Sequence, residues 1–242
     1  MLGSRARVLA VFLLSTPVAC SRAAPEILLF DGSGTSANDV AALEGVLRDH
    51  GLGYAKAGSR RLNDMSRREL DSFRLLIVPG GNFEQMGNGL TPGAAAKVHA
   101  AVRDGLSYLG ICAGAFLAGR SPYNGLDLTE GVRFDFYALE DRGVRKAAVP
   151  IAVAGGATLD QYWEDGPELT GWGDAVARYP DGTPAVAQGA VGQGWVILSG
   201  THPEAPESWR RGMTFSTPVL EDQTYAAELI RAALERTRLA HF

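Results

Sequence analysis

Short apolar runs alternate with amphipathic stretches along much of the chain. The runs at 26–30, 73–78 and 106–110 each lead into a glycine-containing turn or loop, as buried strands do. Residues 40–47 and 91–103 have apolar positions at helical spacing. This alternation predicts an α/β fold with a mostly parallel central sheet that is covered by helices on both faces.

The start of the first helix and the second half of the chain add detail. Ser36 and Asp39 resemble a capping box at the start of that helix. Residues 121–180 are less regular, and we predict added strands there. The two added strands are predicted at 134–137 and 147–153. A late hairpin is predicted at 186–198 and a closing helix at 224–238.

The N-terminus has the pattern of an export signal. Arg5 and Arg7 precede an unbroken apolar run over 8–14, and small residues follow that run. We therefore predict an export signal over residues 1–23 and a single domain over residues 24–242.

Two cleavage positions fit this signal. Cleavage before Cys20 leaves a cysteine that is lipidated and holds the protein on a membrane of the cell envelope. Cleavage near Ala23 instead releases a secreted or periplasmic protein. In both cases Cys112 is the single thiol of the domain that can react, and no intramolecular disulfide forms.

Composition excludes several classes of protein. Of 242 residues, 46% are hydrophobic and 21% charged, which is typical of a globular domain and not of a disordered chain. The net charge is −4 and no basic stripe is present, so nucleic acid is not an expected partner. The chain has no Cys-x-x-Cys or His-Glu-x-x-His spacing, and we expect neither a metal site nor another cofactor.

Cys112 is the strongest candidate for chemistry. It lies in the segment Gly110-Ile-Cys-Ala-Gly114, where small residues permit a sharp turn from a strand into a helix. At a helix N-terminus the dipole favours a thiolate, and the N–H of Ala113 faces a developing oxyanion. The alternative is a buried cysteine that acts as a small hydrophobic residue.

His202, Glu204 and a pair of glycines form two further candidates. If His202-Pro203-Glu204 is extended, the first and third side chains face the same side, so Glu204 orients the imidazole. Gly80 and Gly81 follow a strand at the carboxyl end, where a loop offers backbone N–H groups to a ligand. An ordinary surface loop and an ordinary strand-end turn are the alternatives.

These segments together resemble the class I glutamine amidotransferase-like superfamily. Within it the chain is similar to the family named for the N-terminal region of fungal biotin–protein ligases. The matching segments are Asp31-Gly-Ser-Gly-Thr-Ser36, Pro79-Gly-Gly81, Tyr108-Leu-Gly-Ile-Cys-Ala-Gly-Ala115 and Gly200-Thr-His-Pro-Glu204. The resemblance implies a Rossmann-like three-layer sandwich.

The resemblance also implies roles for individual residues. Cys112 matches the nucleophile, His202 the base and Glu204 its orienting carboxylate, while Gly81 and Ala113 match the oxyanion donors. The expected activity is thiol-dependent hydrolysis of an amide in a small molecule or a peptide. Two alternatives stay open: a binding protein without turnover, and a redox-sensing thiol protein. The proximity of Cys112 to His202 distinguishes the catalytic hypothesis from the binding protein, whereas a redox sensor needs an exposed thiol of low pKa but no Glu204.

Overall fold

The computed structural model describes residues 25–242, which form one nine-stranded sheet with helices on both faces. The strands are β1 (Ile27–Phe30), β2 (Tyr54–Ala57), β3 (Leu75–Val78), β4 (Ser107–Ile111), β5 (Lys146–Val153), β6 (Thr158–Glu164), β7 (Asp174–Arg178), β8 (Pro184–Val191) and β9 (Gly194–Ser199). The helices are α1 (Ala37–Asp49), α2 (Ser59–Asp64), α3 (Arg67–Leu70), α4 (Phe83–Gly89), α5 (Pro92–Arg103), α6 (Ala113–Ala118) and α7 (Val219–Glu235). The predicted export signal, with Cys20, lies outside the described residues.

The sheet has a parallel part and an antiparallel part. Its strand order is β2-β1-β3-β4-β9-β8-β7-β5-β6. The first five strands of this order are parallel to one another. From β9 onward each neighbouring pair is antiparallel. The predicted α/β fold around a parallel core is therefore confirmed, with a four-stranded antiparallel extension beside it.

Two apolar cores lie on the two faces of the sheet. Helices α1 and α7 pack on one face, where Leu43 and Leu229 are buried with strand residues such as Ile77. Helices α2 to α6 cover the other face, where Val98 is buried with Leu76. Burial on both faces explains why the parallel strands are continuous apolar runs. No helix in residues 25–242 has the length and apolarity needed to cross a membrane.

Several predictions for the second half of the chain need correction. The added strand near 147–153 and the late hairpin are present as β5 and β8–β9. The strand predicted at 134–137 is absent, since this segment makes one isolated bridge, from Phe136 to Pro167. Its two hydrogen bonds run from the Tyr137 N–H to the Gly166 carbonyl and from the Glu168 N–H to the Asp135 carbonyl, both at 3.0 Å, and the pairing extends no further. Strands β6 and β7 were not predicted.

Helix boundaries also differ from the predictions in two places. The closing helix α7 begins at Val219, five residues before the predicted start at 224, and ends at Glu235, after which Arg236 has a left-handed conformation. Residues 83–89, expected as a glycine-rich loop, form α4, whose first turn is capped by the Asn82 side chain. Gly87 serves close packing there, because a Cβ on it would collide with the carbonyl of Tyr123.

Candidate active site

Cys112 lies on a strained turn between β4 and α6. Its backbone has φ 49° and ψ −108°, a conformation that is rare for a residue with a side chain. The turn is held by the Cys112 N–H, which donates to the Ser199 carbonyl at 2.8 Å, and by the Gly114 N–H, which donates to the Pro79 carbonyl at 3.1 Å. A Cβ on Gly114 would collide with Val78. The predicted strand-to-helix turn is therefore present.

His202 follows β9, the strand that pairs with β4. The register aligns Ile111 with Ser199, so the residues after the two strands meet at one edge of the sheet. The His202 side chain is buried, with the residue only 3% exposed, and packs edge-on against the rings of Tyr162 and Trp209. Strand pairing thus brings two residues that are distant in the sequence into one site.

Glu204 contacts His202 by a different local route from the one predicted. Residues 202–205 form a turn, in which the Ala205 N–H donates to the His202 carbonyl at 3.2 Å, and are not extended. The turn still brings Glu204 Oε1 to 2.9 Å from His202 Nδ1. Glu204 is fully buried, so this hydrogen bond forms away from water. The expected His202–Glu204 contact exists, but its geometry comes from a turn.

Asp39 is a site residue that the sequence pattern concealed. The Ser36 hydroxyl accepts from the Asp39 N–H at 3.4 Å, as in a helix cap. The Asp39 carboxylate does not return to the Ser36 N–H, which instead donates to the Gly80 carbonyl. Its Oδ1 lies 3.2 Å from His202 Nδ1. A helix cap was a sufficient reason for an aspartate at this position, so nothing in the sequence indicated a functional role for Asp39.

Charge is distributed unevenly over this group. Burial lowers the pKa of His202, but the nearby Cys112, Glu204 and Asp39 side chains together raise it well above its ordinary value. Burial raises the pKa of Asp39, yet the hydrogen bond and charge of His202 outweigh this and lower it overall. Burial raises the pKa of Glu204 and dominates over His202. Glu204 and Asp39 therefore both favour the protonated imidazole.

Asp39, His202 and Glu204 also form a set of potential metal ligands. One ligand atom from each lies within 4.8 Å of the others, and all three residues are buried. Sequence spacing excluded the common zinc motifs but did not anticipate this set, because Asp39 lies far from the other two residues along the chain. The 2.9 Å separation of His202 Nδ1 and Glu204 Oε1 is that of a hydrogen bond, and we interpret the three residues as a hydrogen-bonded group.

The two predicted oxyanion donors lie beside Cys112. Within residues 25–242 neither the Gly81 N–H nor the Ala113 N–H has a hydrogen-bond acceptor. Gly81 has φ 141°, a conformation that glycine adopts readily. Gly80 has a spatial role instead, since a Cβ there would collide with Asp39 Oδ1 and lie 2.7 Å from His202 Cε1.

A cavity of about 550 Å³ opens at this group. Cys112, His202, Asp39 and Gly81 line it from the parallel part of the sheet. The opposite wall comes from β5, β6 and the loop after β9, through Lys146, Tyr162, Glu164, Asp165, Ser208, Trp209 and Arg211. The Cys112 sulfur lies 3.4 Å from the carbonyl oxygen of Glu164 on that wall. The antiparallel extension therefore closes one side of the site.

Comparison with solved structures gives the class of fold. A glutamine amidotransferase from Thermotoga maritima superposes with a TM-score of 0.56 at 13% identity, covering 88% of this chain and 98% of that one. A catalytic mutant of Gan42B, a GH42 β-galactosidase from G. stearothermophilus, gives a TM-score of 0.53 at 13% identity, covering 90% of this chain and 31% of that one. The fold is class I glutamine amidotransferase-like.

A curated relative supports the same superfamily. The pyridoxal 5'-phosphate synthase subunit PdxT of Roseiflexus castenholzii (strain DSM 13941 / HLO8) is 27% identical over 183 residues, which cover 68% of this chain and 90% of that protein. No protein-family model matches the chain. Because a β-galactosidase contains the same fold, the fold by itself does not define the chemistry.

Proposed function

We propose that the protein is a thiol-dependent amide hydrolase in which Cys112 is the nucleophile. One observation carries this proposal: Cys112 stands on a strained turn in the same cavity as a buried His202 whose Nδ1 is held by Glu204. A nucleophile, a base and a group that orients the base are the parts that covalent acyl transfer needs.

The proposed reaction has two steps. The Cys112 thiol gives its proton to His202 and its sulfur bonds to the amide carbon, while the N–H groups of Gly81 and Ala113 stabilise the oxyanion. The C–N bond then breaks, and His202 gives its proton to the leaving amine, which produces a thioester. Water gives a proton to His202 as it attacks the thioester, the C–S bond breaks, and His202 returns this proton to the Cys112 sulfur as the acid leaves.

Family and location are further parts of the proposal. The four matching segments, from Asp31 to Glu204, support membership of the family named for the N-terminal region of fungal biotin–protein ligases. The charged and apolar pattern of residues 1–23 supports export, with attachment to a cell-envelope membrane if Cys20 is lipidated. Free glutamine is the alternative substrate, since the fold is that of glutamine amidotransferase-like proteins.

The reactivity of Cys112 tests the proposal directly. Iodoacetamide labelling is followed against pH by mass spectrometry of the Cys112 peptide, so that Cys20 does not contribute. His202 lines the same cavity as Cys112 and is the proposed acceptor of its proton, so we expect labelling at pH 6 to fall about 10-fold in His202→Ala. Equal labelling of both proteins would overturn the catalytic pair.

Turnover is measured on a panel of amides. We expect release of amine or ammonia by the wild type and none above background by Cys112→Ala. Glutamine and N-acylglycines cover the two substrate classes. Turnover that persists in Cys112→Ala would show that the thiol is not the nucleophile, whatever its labelling rate.

A further inference from the structure

Cys112 lies between two cavities of different character. Cys112, Gly81 and Asp165 line both of them. The larger, of about 550 Å³, contains the polar group around His202, and the smaller measures about 160 Å³. An amide bound at the Cys112 sulfur therefore places its two parts, acyl and amine, on opposite sides.

The smaller cavity has an aromatic wall. Phe83 and Phe116 stack with ring centroids 4.9 Å apart, and Phe136 lies 4.8 Å from Phe116. All three line the cavity, and Phe136 is 42% exposed although it is aromatic. In another protein an apolar cavity of about 150 Å³ binds benzene. The wall thus offers a contact surface of the size of one ring.

The positions of the catalytic groups orient the substrate. His202 lines the larger cavity and Ala113 the smaller one. Since His202 delivers the proton to the leaving nitrogen, the amine part lies in the larger cavity. The acyl chain then takes the remaining direction, into the aromatic cavity that Ala113 lines.

We infer that the substrates are amides whose acyl group ends in an aromatic or branched apolar group and whose amine part is polar. This inference rests on the proposed function and specifies its substrate. Free glutamine fits poorly, because its acyl part carries an ammonium and a carboxylate. Arg145, the one cation of the aromatic cavity, is already paired with Glu140 at 2.8 Å and Asp165 at 2.9 Å. The carboxylate of glutamine would lie against rings, with no unpaired cation among the described residues that line this cavity.

Turnover of matched substrates tests the inference. The substrates are 3-phenylpropionylglycine, acetylglycine and glutamine, with release of glycine or ammonia as the readout. We expect kcat/KM to be at least about 10-fold higher for 3-phenylpropionylglycine than for the other two. Phe136→Ala should reduce this preference about 10-fold, whereas Phe242→Ala, an exposed phenylalanine outside both cavities, should leave it unchanged. A wild type that prefers glutamine or acetylglycine overturns the inference.

A second readout does not depend on turnover. Protection of Cys112 from iodoacetamide is titrated with 3-phenylpropionamide and with propionamide. We expect half-protection at a concentration about 10-fold lower for the phenyl compound, and loss of that difference in Phe136→Ala. If no amide is hydrolysed, the proposed function is wrong, but protection of Cys112 from labelling still tests whether the aromatic cavity binds the phenyl group. Equal protection by the two amides would contradict such binding.

Discussion

The parallel and antiparallel parts of the sheet are built differently. In β1, β3 and β4 every residue is buried, because helices cover both faces. In β5 buried and exposed positions are mixed, and Pro150 and Ala152 are exposed on either side of the buried Ile151. The first pattern is typical of a parallel core and the second of a sheet with one open face.

The two parts also contribute differently to the site. Asp39, Cys112, His202 and Glu204 follow the carboxyl ends of β1, β4 and β9, where parallel sheets bind ligands. Tyr162 and Glu164 belong to β6, and Lys146 begins β5. The groups proposed to react therefore belong to the parallel part, while the antiparallel part shapes the opposite wall. We expect changes in the parallel part to abolish the reaction or the fold, and changes in the wall to alter the choice of substrate.

The largest expected effect is on stability. Leu76→Ala and Ile77→Ala remove neighbouring β3 side chains from opposite cores, and we expect each to lower the free energy of unfolding by about 2–5 kcal/mol. In β5, Ile151→Ala should cost a similar amount, whereas Ala152→Ser should cost almost nothing. Urea unfolding measures all four. A small cost at either Leu76 or Ile77 would show that one face of β3 is not packed.

Gly80→Ala sharpens the difference between fold and site. A Cβ there displaces Asp39 and His202, and we expect amide hydrolysis to fall about 1000-fold through loss of the positioned base. The free energy of unfolding should fall less than in the core variants, since Gly80 does not need the left-handed region and only side chains have to move. Gly53→Ala is the matched control, because a Cβ at Gly53 meets nothing within 4 Å. Unchanged hydrolysis in Gly80→Ala would contradict the site geometry.

The two carboxylates at His202 should differ in importance. Glu204 lies closer to His202 Nδ1, at 2.9 Å against 3.2 Å for Asp39, and is fully buried. We expect Glu204→Gln to lower the hydrolysis rate about 100-fold and Asp39→Asn about 10-fold. The rate constants of both variants are compared with the wild type at neutral pH.

A metal ion held by these residues would change that outcome. With a hydrogen-bonded group, incubation with EDTA leaves the hydrolysis rate of the wild type unchanged. A rate that falls with EDTA and returns with Zn²⁺ would instead assign Asp39, His202 and Glu204 as ligands. A larger loss in Asp39→Asn than in Glu204→Gln would reverse the order of the two carboxylates.

The smallest expected effect is the pH dependence of stability. The pKa of His202 is raised in the folded protein, so its protonated form stabilises the fold below the unfolded value of about 6.5. This contribution is lost as the pH rises through the folded pKa. The difference in unfolding free energy between wild type and His202→Ala should therefore decrease from pH 6 towards alkaline pH. A difference that increases over that range would contradict the ionised pairing of His202.

The local sequence was enough to predict two parts of the site, because each depends on residues that are close together along the chain. The glycines around Cys112 predicted a turn from strand to helix, and the turn is there because steric collisions at 110 and 114 exclude a side chain. The short separation of His202 and Glu204 predicted their contact, although the backbone forms a turn between them. Such features need few residues and no distant partner.

Distant partners explain the predictions that were wrong. The segment 134–137 is apolar enough for a strand, but its backbone pairing is limited to one isolated bridge, between Phe136 and Pro167. Gly87 reads as a loop residue until the carbonyl of Tyr123 is placed against it. In both cases the deciding contact comes from residues about thirty or more positions away, which no local pattern contains.

The amino-acid sequence by itself determined the alternation of strands and helices, the turn at Cys112 and the contact of His202 with Glu204. Each follows from side-chain size, backbone freedom and spacing over a few residues. Only the tertiary structure decided that Asp39, like Glu204, contacts His202 and that three phenylalanines line a cavity beside Cys112. These depend on strand order and register, because the sheet places residues side by side that the chain keeps far apart.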